Sequence, residues 1–409
     1  MIYICLIILY FLILSVLVCI DMNVLIISKC PTHPLSSGNR KFIYNQVQLF
    51  ESMGHNVFFF YIHEEGLRSS LKSDNVVSQM NSFWKERLCV YNVPFIAHLY
   101  NMFLKKIRIV LNRGYVKADD DIFPFITRKI NNFIREKNID CAIINYYYLS
   151  RLLTNLNVRL KALTTHDYFS YKTILTGIKG VDLNTTAGEE AKALQRSPHI
   201  FALNTEEEIL FRKLSPASKT YNVFCNYEYF PTDYCGNKNI LFFSGGNKYN
   251  LDGLNWFIDT VYPLILSRFP DAQLIIGGSI TKFIDFSKIT NSVNYGYVDD
   301  VNHFFSQGDV VINPTYQGTG LKIKTFEAIS YSKVVMVHPH SMIGIYDSYN
   351  APIFSSDLPQ DWVEYLSTMW SSEAEVNRQK NKCGNYIHEM NMFIRSEYER
   401  FFNSIKTAN

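Results

Sequence analysis

The chain has 409 residues, 47% of them apolar and 19% charged, with a formal net charge of +3. That length suits two domains rather than one core, and the apolar content excludes a disordered chain. The near-neutral balance provides no broad basic face, so nucleic acid is not an expected partner.

Residues 1–20 carry no charge. As a helix rising about 1.5 Å per residue they would span a hydrocarbon core about 30 Å thick. No basic residue precedes the run and no small-x-small site ends it, so a cleaved secretory signal fits poorly. Two readings stand: a membrane anchor, or a true start at Met22, where a strand-like run opens at once. The eight cysteines are scattered without a C-x-x-C pair, which fits buried thiols in a reducing compartment and neither a zinc pattern nor a disulfide framework.

From residue 22 short apolar runs alternate with helical patterns, the signature of parallel sheets with crossover helices. A strand is expected over 24–28, then a loop over 31–38. A helix follows with Ile43, Val47 and Phe50 on one face, and a strand over 57–62. Residues 65–120 read as helices and irregular segments. A helix over 125–137, a strand over 141–145 and a strand over 160–165 ending at His166 come next. A strand over 200–204 leads into a helix capped by Asn204 or Thr205, with Glu206, Glu207 and Glu208 in its first turn. A boundary falls at 215–236, where Pro, Asn and Tyr replace the periodic segments.

The second half is clearer. A strand over 240–244 and a turn over 245–250 lead into a helix with Leu254, Phe257, Ile258, Val261, Leu264 and Ile265 on one stripe. Further strands are expected over 274–277, 309–313 and 334–338. The strand ending at Asn313 runs into a loop with Gly318 and Gly320, and a helix starts near Leu321. Glycines let backbone approach a ligand closely, and free N–H groups at a helix start favour an anion. Lys322 and Lys324 oppose the helix dipole there, which an anionic ligand explains; the alternative is ordinary solvated lysines. Glu327, seven residues after Gly320, suits hydrogen bonding to ribose hydroxyls, or is a surface helical glutamate.

The segments Phe242-Phe-Ser-Gly-Gly246, Asp252-Gly-Leu-Asn-Trp-Phe257, Phe269-Pro-Asp-Ala-Gln-Leu-Ile-Ile-Gly277 and Gly318-Thr-Gly-Leu-Lys-Ile-Lys-Thr-Phe-Glu-Ala328 together resemble family 4 glycosyltransferases, the glycosyl transferases group 1. The resemblance is strong over 240–340 and weaker over 22–215. It implies the GT-B fold: two α/β Rossmann-like domains with parallel sheets facing a central cleft. Residues 22–215 would form the acceptor-side domain and 216–385 the donor domain. Residues 386–409 would be a helix crossing back to the first. The implied reaction moves a sugar from a nucleotide-sugar donor of UDP or GDP type to a glycan or lipid-linked acceptor. Retention at the anomeric carbon and a place in cell-surface polysaccharide or glycoconjugate synthesis are implied with it. No permanent cofactor and no metal are implied. The location would be cytoplasmic, with inner-membrane association through residues 1–20 or the acceptor lipid left open.

By the same resemblance Gly38, Gly245, Gly246 and Lys248 lie near the donor phosphates, and Tyr297 and Val298 border the base. Thr319, Gly320, Leu321 and Lys322 take phosphate, and Glu327 takes ribose. His166 stands near the transferred sugar, or is a core or capping histidine. His166, Lys322 and Glu327 form the implied catalytic set, with Lys322 stabilising the departing diphosphate. Two departures stand out. Thr319 occupies the place of the first of two glutamates, and Lys248 alone is basic where the family often has Arg and Lys. Asp119, Asp120 and Asp121 suggest a metal motif but fit a solvated helix start better. Two rivals remain, a non-catalytic nucleotide- or glycan-binding protein and a sugar-nucleotide epimerase. Sugar transfer or hydrolysis excludes the first; an epimerised product without transfer favours the second.

Overall fold

The computed structural model describes residues 21–35, 37–64, 70–111, 114–121, 123–176 and 184–407. The apolar segment 1–20 lies outside them. A first sheet of seven parallel strands comprises β1 (Asn23–Ser28), β2 (Asn56–His63), β3 (Leu88–Asn92), β4 (Cys141–Asn145), β5 (Leu160–Thr164), β6 (His199–Ala202) and β7 (Lys219–Asn222). Its order is β3-β2-β1-β4-β5-β6-β7. A second sheet comprises β8 (Asn239–Phe243), β9 (Gln273–Gly277), β10 (Ser292–Gly296), β11 (Val310–Asn313), β12 (Val334–Val337) and β13 (Ile353–Ser355), in the order β10-β9-β8-β11-β12-β13. The first-formed strand of each sheet, β1 or β8, lies between neighbours reached by winding in opposite directions. A crevice therefore opens at the carboxyl ends beside it.

The inner strands carry continuous apolar runs because helices cover both faces. Val24 to Ile27 are fully buried, in register with Val57 to Phe60. The edges differ. β3, β7, β10 and β13 are absent from the strands expected by pattern, and they occupy or end the sheet margins, where half-buried sequences such as Ser-Val-Asn-Tyr-Gly do not form an apolar run. β3 falls within the 65–120 stretch read as helices and irregular segments. β7 pairs with β6, so the first sheet extends to Asn222, inside the boundary stretch expected over 215–236.

The helical stripe after β8 is also modified. Helix Lys248–Trp256 continues through a π turn at Phe257–Val261 into helix Tyr262–Arg268. Pro263 has no N–H to offer the preceding turn, and a π turn accommodates that by inserting a residue. The inserted residue rotates the next helical turns, so Tyr262 is buried and Leu264, expected on the stripe, is 41% exposed.

Helix Glu373–Asn403 runs the length of both domains. Its first half packs on the second sheet, where Cys383 contacts Lys333. Its second half reaches the first domain: Tyr398 accepts a hydrogen bond from Gln46 at 2.8 Å, and Phe401 packs edge-on against Phe201. Lys380 pairs with Asp309 at 2.5 Å, both side chains nearly fully buried. Removing one member of a buried pair strands the other. Lys380→Met is therefore expected to lower unfolding stability by about 3–5 kcal/mol, measured by urea titration. A loss below about 1 kcal/mol would mean that Lys333 nearby compensates Asp309.

Candidate active site

The carboxyl edge of the first sheet brings three turns together. β4 leads into Tyr146 and β5 leads to His166, and both residues adopt left-handed backbone, φ 77° and 68°. Such strain in two non-glycine residues persists only where surrounding contacts impose it. Here the two rings stack at 4.2 Å and Phe42 meets the histidine edge-on. Tyr146 accepts a hydrogen bond from Asn39 at 2.8 Å. His166 Nε2 lies 2.6 Å from Asn145 Oδ1, so with that amide orientation Nε2 carries the proton. Nδ1 is then a buried acceptor with no partner. Burial pushes the ring down to about 3, which makes it a neutral imidazole rather than an acid–base group near neutrality.

This has a pH consequence. The folded value lies below the ordinary one of about 6.5, so the stability contributed by the neutral ring is intact above that pH. It is lost as pH falls toward the folded value, at up to about 1.4 kcal/mol per pH unit. In urea titrations at about pH 6.5 and about pH 4.5, the parent is expected to lose more stability than His166→Asn. Equal losses would mean that the ring is solvated and protonates freely.

The carboxyl edge of the second sheet supplies the other wall. After β8, Gly246 N–H donates to Ser279 Oγ at 3.2 Å. After β11, Gly318 and Gly320 take φ 105° and 81°, conformations that side chains rarely adopt. Helix Ile323–Ser330 then begins, two residues later than expected, with Lys322 at its N-cap. The two walls touch. A Cβ on Gly320 would sit 3.6 Å from Asp167 Oδ1, and one on Gly38 would strike Ile323 at 2.4 Å. Gly38 thus allows the first helix of one domain to meet the loop helix of the other.

The two loop lysines differ. Lys324 Nζ bonds Asn250 Oδ1 at 2.5 Å and Thr315 Oγ1 at 3.1 Å, while Asn250 Nδ2 bonds Gly245 O at 2.9 Å. It is a brace between the two glycine loops, and burial followed by the nearby Lys322 pushes it down to about 7. Lys322 has no carboxylate within ion-pair distance among the described residues. Burial lowers it, and Asp167, Glu207 and Glu206 across the cleft oppose that shift. Glu327 Oε1 meets Lys41 Nζ of the first domain at 2.6 Å.

Of the expected residues, Gly38, His166, Gly320, Lys322 and Glu327 converge on the domain junction. Gly245 and Gly246 adjoin it through the Lys324 brace. Thr319 contributes a buried hydroxyl with no partner, a polar atom left for a ligand. Leu321 packs partly into the core. Lys248 is exposed and pairs with Asp252 one turn on, which raises its value. Tyr297 is 72% exposed, whereas Val298 is buried against the backbone at Gly277.

Glu207, in the helix first turn as expected, is buried with Oε2 unpartnered, and desolvation with the charge of Asp167 raises it. The helix it opens is capped by Asn204, which settles the choice left with Thr205. The Asp119–Asp121 stretch is not a helix start but an ion-paired turn. Asp119 meets Lys192 and Arg196 at 2.7 Å each, and Asp121 meets Lys29 at 2.5 Å. The Arg196 hydrogen bond, then the Lys192 one, hold Asp119 down at about 2. Among the described residues no group of three or more His, Cys, Asp or Glu is placed to hold a metal. The six described cysteines are free thiols. Glu190, not singled out by pattern, is buried and accepts the N–H groups of Phe169 and Ser170 at 2.9 Å each. Burial pushes it up to about 7.

Two parallel doubly wound sheets joined across a cleft by a returning helix define the GT-B fold, and comparison with known proteins agrees. Residues 237–372 match the family described as Glycosyl transferases group 1. Among solved structures, sucrose-phosphate synthase from Thermosynechococcus elongatus is similar with a TM-score of 0.65, at 10% identity, over 95% of this chain and 100% of that one. TarM gives 0.65 at 10% identity over 93% and 99%. The pneumococcal O-GlcNAc transferase GtfA, in complex with UDP and GlcNAc, gives 0.61 at 10% over 94% and 99%. A curated relative, an uncharacterized 44.6 kDa protein in the cps region of Klebsiella pneumoniae, is 21% identical over 76% of this chain and 81% of its own length.

Proposed function

We propose that the protein is a glycosyltransferase that moves a sugar from a nucleotide-activated donor to a glycan or lipid-linked acceptor, with retention and without a metal. The observation that carries the reading is the loop over 318–322. It has two left-handed glycines, an unpartnered buried hydroxyl and a cation without an ion-pair partner at a helix start, within a segment matching group 1 glycosyltransferases. That combination suits a diphosphate. The nucleotide complex of GtfA supports a UDP-type donor, and the relative from a cps region supports a role in surface polysaccharide synthesis.

His166, neutral and strained, would face the sugar from the first domain as a hydrogen-bonding group. Glu327 would hold ribose, and Lys322 with the glycine-loop amides would stabilise the departing diphosphate. Thr319 in place of a second acid favours the non-catalytic rival, since one expected donor contact is missing. A thermal-shift panel of nucleotide sugars tests the reading. One donor should raise the midpoint by mass action, and incubating it with acceptor glycans or lipids should release nucleoside diphosphate. Binding without release of diphosphate would establish the rival.

A further inference from the structure

Helix Phe95–Leu111 follows β3 from the carboxyl edge of the first sheet, the edge that also carries His166. Its 17 residues span about 25 Å. A surface helix normally turns its apolar stripe toward the core. Here the stripe points outward: Ile96, Tyr100, Phe103, Ile107 and Val110, spaced i, i+4, i+7, i+11 and i+14, are 81, 51, 64, 39 and 78% exposed. Phe95, Leu99 and Met102 lie exposed beside it, while the polar Asn101 is buried. Contiguous apolar surface of this kind marks a contact with something outside the chain.

Charge selects the occupant. The helix contains Lys105, Lys106 and Arg108, and no Asp or Glu occurs anywhere from residue 88 to 118. A second copy would bring another cationic stretch with no acid to meet it. An anionic bilayer supplies both an acyl boundary for the stripe and phosphates for the cations. Among the described residues no helix is long and apolar enough to cross a membrane, so this one would lie in the interface.

We propose that helix Phe95–Leu111 is a membrane-docking surface that seats the first domain on an anionic bilayer. Docked so, the acceptor-side edge of the cleft faces the lipid, and a lipid-linked acceptor reaches it without leaving the bilayer. That consequence rests on the transferase reading, whereas the docking does not.

The test is co-sedimentation of the full chain with vesicles of phosphatidylcholine, with and without phosphatidylglycerol. Three exposed positions are changed together, Ile96→Gln, Phe103→Gln and Val110→Gln, and one cation separately, Lys106→Gln. The parent binds the anionic vesicles more tightly. The triple variant loses at least about a hundredfold in partition, and Lys106→Gln loses about fivefold on anionic vesicles only. Unchanged circular dichroism and thermal midpoint in both variants exclude unfolding. Partition unchanged in both would place any attachment elsewhere, residues 1–20 included, and overturn the proposal. So would a triple variant that dissociates a dimer while keeping lipid binding, since the stripe would then join two copies. Nucleotide binding, measured on the same variants, reads the donor site separately.

Discussion

Glu327→Ala is expected to lower affinity for the donor nucleotide by roughly ten- to a hundredfold. A charge-assisted hydrogen bond between a carboxylate and a ribose hydroxyl contributes about 1.5–3 kcal/mol, which converts to that range. The Lys41 contact supplies a control. Glu327 Oε1 is engaged by Lys41, and the carboxylate keeps acceptor capacity on Oε2. If Glu327 binds ribose, Lys41→Ala removes only a partly exposed ion pair worth about 1 kcal/mol or less, and affinity falls by a few-fold at most. If Glu327 serves only to clamp the two domains, the two variants and their double replacement lose affinity equally. Calorimetry on the three variants decides between these outcomes.

Lys322→Ala is expected to weaken binding of a nucleoside diphosphate at least about tenfold, with little effect on the corresponding nucleoside. The ammonium is partly buried, without an ion-pair partner among the described residues, and faces Asp167, Glu206 and Glu207 across the cleft. A diphosphate entering this space meets those acids as well, so the cation that separates them carries a large share of the binding. The loss should shrink as salt rises, because only the charged ligand feels the difference. Lysine as a mere solvated helix start gives the opposite forecast: slight stabilisation on removal of a charge that opposes the dipole, with binding unaltered. Equal weakening of nucleoside and diphosphate would mean that Lys322 only shapes the loop. Either result would remove the main support for a donor site here.

The glycine loop was legible because its requirement is local. Left-handed backbone at Gly318 and Gly320 needs glycine whatever surrounds it, and the apolar run of β11 announces the strand before it. The inner strands were legible for a similar reason, since burial on both faces writes itself as uninterrupted apolar sequence. Lys41 was not. It is one lysine on an amphipathic helix, and only the meeting of two domains places it against Glu327, 286 residues away. Nor were Glu190 and Glu207, which by sequence are ordinary first-turn acids and by structure are buried carboxylates beneath the cleft.

By itself the sequence determined two doubly wound α/β units and the glycine loop of the second, and it singled out His166, Lys322 and Glu327 as the candidates for its chemistry. These come from period, composition and backbone requirement, which act within a few residues. Tertiary structure alone decided the edge strands, the extension of the first sheet to Asn222, and the separation of the two loop lysines into a brace and a cation facing the cleft. It also decided which apolar stripes stay uncovered. The stripe of helix Phe95–Leu111 has the same spacing as one that packs inward, and amphipathic spacing fixes that a face exists but not what covers it. Burial and electrostatic environment are sums over neighbours distant in sequence, so they exist only once the chain has folded.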